Sequence, residues 1–491
     1  METYGKECGE KKQMGKARIL IGYPPLSDPR GHHQTGQNRQ AQVFVHGAYI
    51  YPCVPSSAAT MLKEAGHEVM WADGEAEEKT WRDYLSSAVR FKPDILAWEV
   101  KTPSVKTTWE RVRSAKTYLP NATFVLFGDH VTALPEETLE HSPTDVVLTG
   151  GDYDFGLLKL ASNPLYRGVW KEPTTNSLDN LAIPDRSLTK WRLYGYEKGS
   201  GNYKYLPGTH TYFGRDCWWR KDGGCTFCSW TNTFKNFRVV DVQRAVDEVI
   251  ECDRIGVREV FDDTGTFPIG KWMEEFCEKI IRWREKSRSK IRLGCNMRPG
   301  AINKEAYGLL GRAGFRFILY GLESANQGTL DRIQKGQRPG DMESTLSMAK
   351  RAGLEPHVTC MVGYPWESVE DARRTIKFTG ELFKKGLIDT LQATICIPYP
   401  GTKLYQQCLE NKWLKYPVGS WNKWDMRRPV METGIQDKEL LGITRGIYKS
   451  CITPKFVLRK VFSIRSMDDV KFLWRATKFM GGHLIDFKGK Q

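Results

Sequence analysis

The chain has 491 residues but no window near the ~20 uninterrupted apolar residues that a membrane-crossing helix needs. Its opening stretch, METYGKECGEKKQMGKARILIG, lacks the apolar core of a secretory signal. Both absences lead to the expectation of a cytoplasmic protein, in a compartment where thiols stay reduced. Twelve cysteines then read as free, buried or metal-bound, and not as a disulfide framework. There is no internal repeat, no low-complexity tract, and no helix-turn-helix or zinc-finger spacing, so no stable nucleic-acid partner is expected. Acidic residues fall short of basic ones, 58 against 73, which leaves a net charge of +15. That balance suits an anionic partner or a solvated cationic face, and names neither.

What is present is a strand–helix alternation in two runs. The first runs from ARILIGY (Ala17–Tyr23) through HEVMWAD, DILAWEV, ATFVLFG and DVVLTGG, with helices predicted at PSSAATMLKEAG, TWRDYLSSAVRF and SVKTTWERVRSAKTYL. Such a pattern implies a doubly wound parallel sheet, Rossmann-like, over 16–162, whose ligands sit beyond the strand C-termini. The loops at that edge are Pro24–Val54, Lys101–Ser104, Gly128–Ala133 and Gly150–Asp154. The first is long and carries His32, His33, His46 and Cys53. Residues 163–205 read as an irregular linker. The second run, 206–410, holds six strands with intervening helices, as in an α/β barrel or part of one. Chemically active side chains collect at its strand ends: Cys217, Asp262, Asp263, Arg298, Glu323, Gly363 and Pro398. Residues 411–491 are rich in Trp and Lys and read as a helical covering segment.

The segment GRDCWWRKDGGCTFCSW places Cys217, Cys225 and Cys228 in a C-x7-C-x2-C pattern with no evident fourth thiol. Structural zinc takes four ligands, and Cys252, the nearest further cysteine, falls inside a predicted helix. Three thiolates suit an iron–sulfur cluster with one open iron, which a catalytic centre needs and a structural one avoids. Gly223 and Gly224 would let the backbone wrap closely, and Trp218, Trp219 and Phe227 would shield the cluster from water. Asp262 and Asp263 also suit capping of the helix that follows, and Arg298 suits a structural ion pair.

These residues resemble the radical S-adenosylmethionine (SAM) superfamily, with Phe227 at the aromatic place before the third cysteine. The first gap of seven residues departs from the usual three. FDDTGTF, CNMR, YGLESANQGTLDRIQKG, MVGYPWESVEDA and PYPGTKLY resemble the family's later barrel segments in order. The resemblance implies that Cys217, Cys225 and Cys228 hold a [4Fe–4S] cluster, that Phe227, Asp263, Arg298, Glu323 and Gly363 contact SAM, and that an external flavodoxin- or ferredoxin-type donor supplies electrons. The first run is similar to the cobalamin-binding domain of the B12-dependent radical SAM class. That similarity implies cobalamin contacts at Pro25, Thr102, Ser104, Gly128, Asp129, His130, Gly150 and Gly151. Asp28 has Arg30 where a cobalt-ligating histidine would stand, so no histidine is expected beneath the metal. The implied activity is C-methylation of an unactivated carbon on a peptide, protein or small acidic substrate. A glutamine of methyl-coenzyme M reductase is one target known for the class. The alternatives are a non-methylating cyclisation or ring contraction, and a cobalamin-sensing regulator.

Overall fold

A computed structural model describes residues 15–487 apart from 27, 30, 37–42, 46–48, 197–201, 220–222 and 451. Expectations about Arg30 and His46 lie outside the described residues.

Two six-stranded parallel sheets form the scaffold. The first contains β1 (Arg18–Tyr23), β2 (Glu68–Asp73), β3 (Ile95–Glu99), β4 (Thr123–Phe127), β5 (Val146–Thr149) and β6 (Gly168–Lys171), in the order β2-β1-β3-β4-β5-β6. Its central strands are buried along their whole length, as expected for a sheet covered on both faces. The chain order reverses between β1 and β3, the topological switch point. The predicted linker 163–205 is less irregular than its composition suggested. Gly168–Lys171 is the sixth strand of this sheet, paired with β5, and its half-exposed edge position accounts for the weak apolar signal.

The second sheet holds β7 (Gly208–Thr211), β8 (Glu259–Asp262), β9 (Arg292–Met297), β10 (Phe315–Glu323), β11 (Glu355–Val362) and β12 (Thr390–Ile395), paired in sequential order. Six sequential parallel strands make a partial barrel, open between β7 and β12. Buried apolar side chains run without interruption from Ile21 and Phe127 of the first sheet to Val260 and Leu322 of the second, so the two units share one core.

Helices start and stop where local chemistry dictates. The helix α1 (Cys53–Glu64) begins two residues before the predicted Pro55 and packs on α2 (Tyr153–Ala161). The helix α3 (Val369–Lys385) begins with a Ser368–Asp371 capping box and ends at Gly386 in the left-handed conformation. Three C-terminal helices follow the barrel: α4 (Asp437–Ser450), α5 (Pro454–Phe462) and α6 (Met467–Asp486). The last of these spans the open side of the barrel. Near its start, Asp469 pairs with Lys204 at 2.6 Å and Asp468 with Arg258 at 2.7 Å, both on the β7–β8 side. Near its end, Asp486 pairs with Arg427 at 3.2 Å, and the His483 ring stacks on Tyr448, whose hydroxyl donates to the Ala393 carbonyl of β12.

An antiparallel ribbon of Gly214–Arg215 and Arg238–Val239 flanks the cysteine segment and ties the two units together. Arg215 pairs with Asp154, and both side chains are almost fully buried. Arg238 donates two hydrogen bonds to Asp152, at 2.7 and 2.8 Å. Both aspartates belong to the Gly150–Asp154 turn, which is thereby held against the barrel.

Candidate active site

One cavity of about 560 Å³ runs from the strand C-termini of the partial barrel through its interior to the C-terminal helices. Cys217, Cys225 and Cys228 all face it. The three are half-buried, whereas the other seven described cysteines are fully buried. Cys252 packs in the core, where burial pushes its thiol up to about 12, so it does not complete a set of four. Among the described residues, no three His, Cys, Asp or Glu side chains converge closely enough to hold a single metal ion.

The surroundings of the three thiols suit an anionic, thiolate-bound group. The Cys217 sulfur lies 3.1 Å from the Thr266 hydroxyl. Burial raises the Cys225 thiol, while the nearby Lys335 and Arg298 pull it back toward the thiolate. Gly265 is required beside the first cysteine: a Cβ there would come within 2.4 Å of the Asp216 carbonyl and 3.0 Å of the Cys217 Cβ. Arg298 lies 4.2 Å from the Trp219 ring centroid and donates to the carbonyls of Lys335 and Gly336. It thus bonds carbonyls and stacks on an aromatic, and is not the carboxylate ion pair that the sequence left open. Phe227 lines the same wall, with Lys335 over its ring.

Glu323 is the most constrained residue of the site. Its φ is +61°, and a register shift between Gly321 and Glu323 re-aims the strand end there. A non-glycine residue in this region costs about 1–3 kcal/mol, a cost typical of functional positions. Its carboxylate accepts from Lys335 at 2.6 Å. Asp263 also faces the cavity and accepts from Asn296 at 2.8 Å. Asn296 itself is buried on the cavity wall, and its side-chain oxygen has no partner within the protein. A buried amide oxygen left open in a cavity marks a place for a donor on a bound molecule.

The structure overturns the capping reading of the two aspartates. The helix that follows, Lys271–Ser287, has Gly270 at its N-cap. Asp262 instead lies behind the site, where it accepts from the Phe213 amide and the Thr264 hydroxyl, and burial pushes it up to about 8. Gly363 does not line the cavity. Its amide donates to Glu367, and a Cβ there would meet Leu440 at 2.8 Å.

Sequence reasoning missed Lys335, Asn296, Thr266, His210 and His357. Lys335 and Asn296 lie inside the motifs quoted above, IQKG and CNMR, where their spacing was visible but their contacts were not. His210 and His357 line the barrel interior, and burial lowers each to about 3, so both rings are neutral. His357 Nδ1 lies 2.8 Å from Thr390, and Nε2 has no partner within the protein.

The eight residues expected at cobalamin lie outside this cavity; from the first unit only Gln34 and Ile50 line it. His130 lies 3.2 Å from Thr102, 3.4 Å from Glu137 and edge-on to Trp421. Asp129 faces Lys101 at 3.7 Å, Ser104 bonds the Lys101 carbonyl, and the Pro25 carbonyl accepts from Arg111. A Cβ at Gly128 or Gly150 would strike a neighbouring strand's carbonyl, and one at Gly151 would lie 2.6 Å from the Thr233 carbonyl. These positions pack against the chain itself, Trp421 and Phe234 included. His32 lies 3.4 Å from Tyr49, and His33 pairs with Asp28 at 3.1 Å.

The family comparisons agree with this architecture. The profile of the Radical SAM superfamily matches residues 211–379, and that of the B12 binding domain matches residues 48–155. The chain thus carries a radical SAM domain behind a B12-binding domain. Its cofactor classes are therefore SAM with an iron–sulfur cluster, and cobalamin. An uncharacterized methyltransferase of Pyrococcus horikoshii is 28% identical, over 82% of this chain and 88% of that protein. The anaerobic magnesium-protoporphyrin IX monomethyl ester cyclase of Cereibacter sphaeroides is 23% identical, over 86% of this chain and 68% of that protein. The radical SAM methyltransferase TsrM of Kitasatospora setae, solved with cobalamin and a [4Fe–4S] cluster, superposes with a TM-score of 0.66. It is 13% identical over 96% of this chain and 99% of that one, a likeness of fold.

The site also gives a test of Glu323. Glu323→Gly removes both the carboxylate and the backbone penalty. Relief of the backbone offsets only part of the cost of leaving Lys335 buried without its carboxylate, so the expected outcome is a modestly lower melting temperature, with SAM affinity weakened at least 10-fold by isothermal titration; normal affinity would make Glu323 structural.

Proposed function

We propose that this radical SAM enzyme methylates an unactivated carbon of a substrate held in the barrel cavity. The observation that carries the reading is the three half-buried thiols facing one cavity together with Glu323, Asn296, Arg298 and Lys335. When bound, the cluster and SAM supply a carbon-centred radical after one-electron reduction, and cobalamin supplies a methyl carrier.

The protein's own groups bind, orient and exclude water. Cys217, Cys225 and Cys228 hold the cluster, and the Arg298 and Lys335 cations offset its negative charge. Glu323 and the open Asn296 oxygen accept from the amino and hydroxyl donors of SAM, with Asp263 oriented by the Asn296 amide. Trp219 and Phe227 keep water from the thiolates. No residue is assigned to the corrin. The cavity beyond is lined by Phe261, Leu319 and Met361 with the neutral imidazoles of His210 and His357, and its polar groups include Thr359, Gln392 and the paired Asp389 and Lys460. Such a lining favours an uncharged carbon skeleton over the acidic metabolite that net charge suggested. The electron donor is an external low-potential protein of flavodoxin or ferredoxin type.

Protein reconstituted without oxygen, given cobalamin, SAM and a reductant, should yield both 5′-deoxyadenosine and S-adenosylhomocysteine by mass spectrometry. Deoxyadenosine alone would favour the cyclisation chemistry named for the Cereibacter relative. Neither product, with zinc in the metal analysis, would overturn the cluster assignment.

A further inference from the structure

The C-terminal helical pair carries an apolar surface that the site does not use. Among the described residues, the exposed large apolar side chains concentrate here: Phe462 is 73% exposed, Met467 67%, Trp474 74% and Leu458 56%. Leu458 and Phe462 lie four residues apart on α5, and Met467, Val470 and Trp474 recur at helical spacing on α6, so each helix presents one outward apolar stripe. No residue of α5 is buried. Large apolar side chains left exposed in such number on neighbouring helices mark a contact surface.

Charge selects the kind of contact. Lys455, Arg465, Lys471 and Lys478 are exposed around the stripes. The acidic groups of this region are already neutralised: Asp468 by Arg258, Asp469 by Lys204 and Asp486 by Arg427. An apolar stripe of Phe, Leu and Trp rimmed by lysine and arginine is the composition of a helix that lies in a membrane interface. No helix among the described residues is long and apolar enough to cross a membrane, so the contact is with the bilayer surface. The cavity reaches the surface at α5, since Val457 and Val461, each next in sequence to a stripe residue, both line it and stand 45% and 54% exposed.

We infer that α5 and α6 dock this protein on an anionic lipid bilayer, with the mouth of the barrel cavity turned toward the membrane. The inference does not depend on which reaction the site performs. The test is flotation of the reconstituted holoenzyme with phosphatidylcholine vesicles, with and without one-third phosphatidylglycerol. The expected result is at least 10-fold more floated protein with phosphatidylglycerol, lost in high salt. It is also lost in the double variant Phe462→Glu/Trp474→Glu and in Lys471→Glu/Lys478→Glu. Neither pair lines the cavity, so both variants should keep wild-type melting temperature and deoxyadenosine formation. Absence of flotation, or flotation equal in the variants, overturns the proposal. Concentration-dependent dimerisation without flotation, abolished by Phe462→Glu/Trp474→Glu, overturns it in favour of a second copy of the chain.

Discussion

Cys225→Ala, after anaerobic reconstitution, is expected to retain less than a tenth of the wild-type iron and to lose deoxyadenosine formation by at least 100-fold. Cys217→Ala and Cys228→Ala should behave alike, because a cluster with three protein ligands cannot spare one. Cys277→Ala is the control. That thiol is buried away from the cavity, with burial pushing it up to about 12, and it should leave the iron content at about four per chain. Iron is counted by a colorimetric assay and the cluster by its absorbance near the visible edge. Equal iron in Cys225→Ala and the wild type would remove the cluster from these three residues.

The second large effect is expected at the ribbon between the two units. Arg215→Met leaves the Asp154 carboxylate buried without its cation. Burial already pushes that carboxyl up, and Arg215 is the main group opposing the shift. Removing one partner of such a pair costs about 3–5 kcal/mol, whereas replacing both by apolar groups is often near neutral. The single variant should therefore melt roughly 3–5 °C lower. Arg215→Met/Asp154→Leu should recover most of that loss, and with Asp154→Leu alone the cycle gives the coupling energy. Because Cys217 follows Arg215 by two residues, the single variant should also load iron more slowly. A single variant as stable as the wild type would show that the pair does not hold the units together.

Much of this architecture was legible from periodicity. Strands such as DILAWEV and ATFVLFG are continuous apolar runs between helical patterns, and a parallel sheet covered on both faces imposes that pattern. The grouping of Cys217, Cys225 and Cys228 was legible because the three lie on one short segment. What stayed hidden depended on contacts between distant parts of the chain. Lys335 reaches Glu323 only because the strand end is bulged, and Arg215 finds Asp154 across the two units. The glycines at 128, 150 and 151 stand hard against other parts of the chain, a packing that the sequence did not show. The strand Gly168–Lys171 was missed because an edge position does not demand an apolar run.

The closure of the barrel by α6 sets an order of events during synthesis. Translation completes β12 at Ile395 well before it reaches Met467, and at roughly 5–20 residues per second the interval is on the order of seconds. Throughout it the six strands and all three thiols are made while the side of the barrel is still unsealed. The three thiols are therefore more accessible on the nascent chain than on the finished one, and the last helix shuts the wall on them.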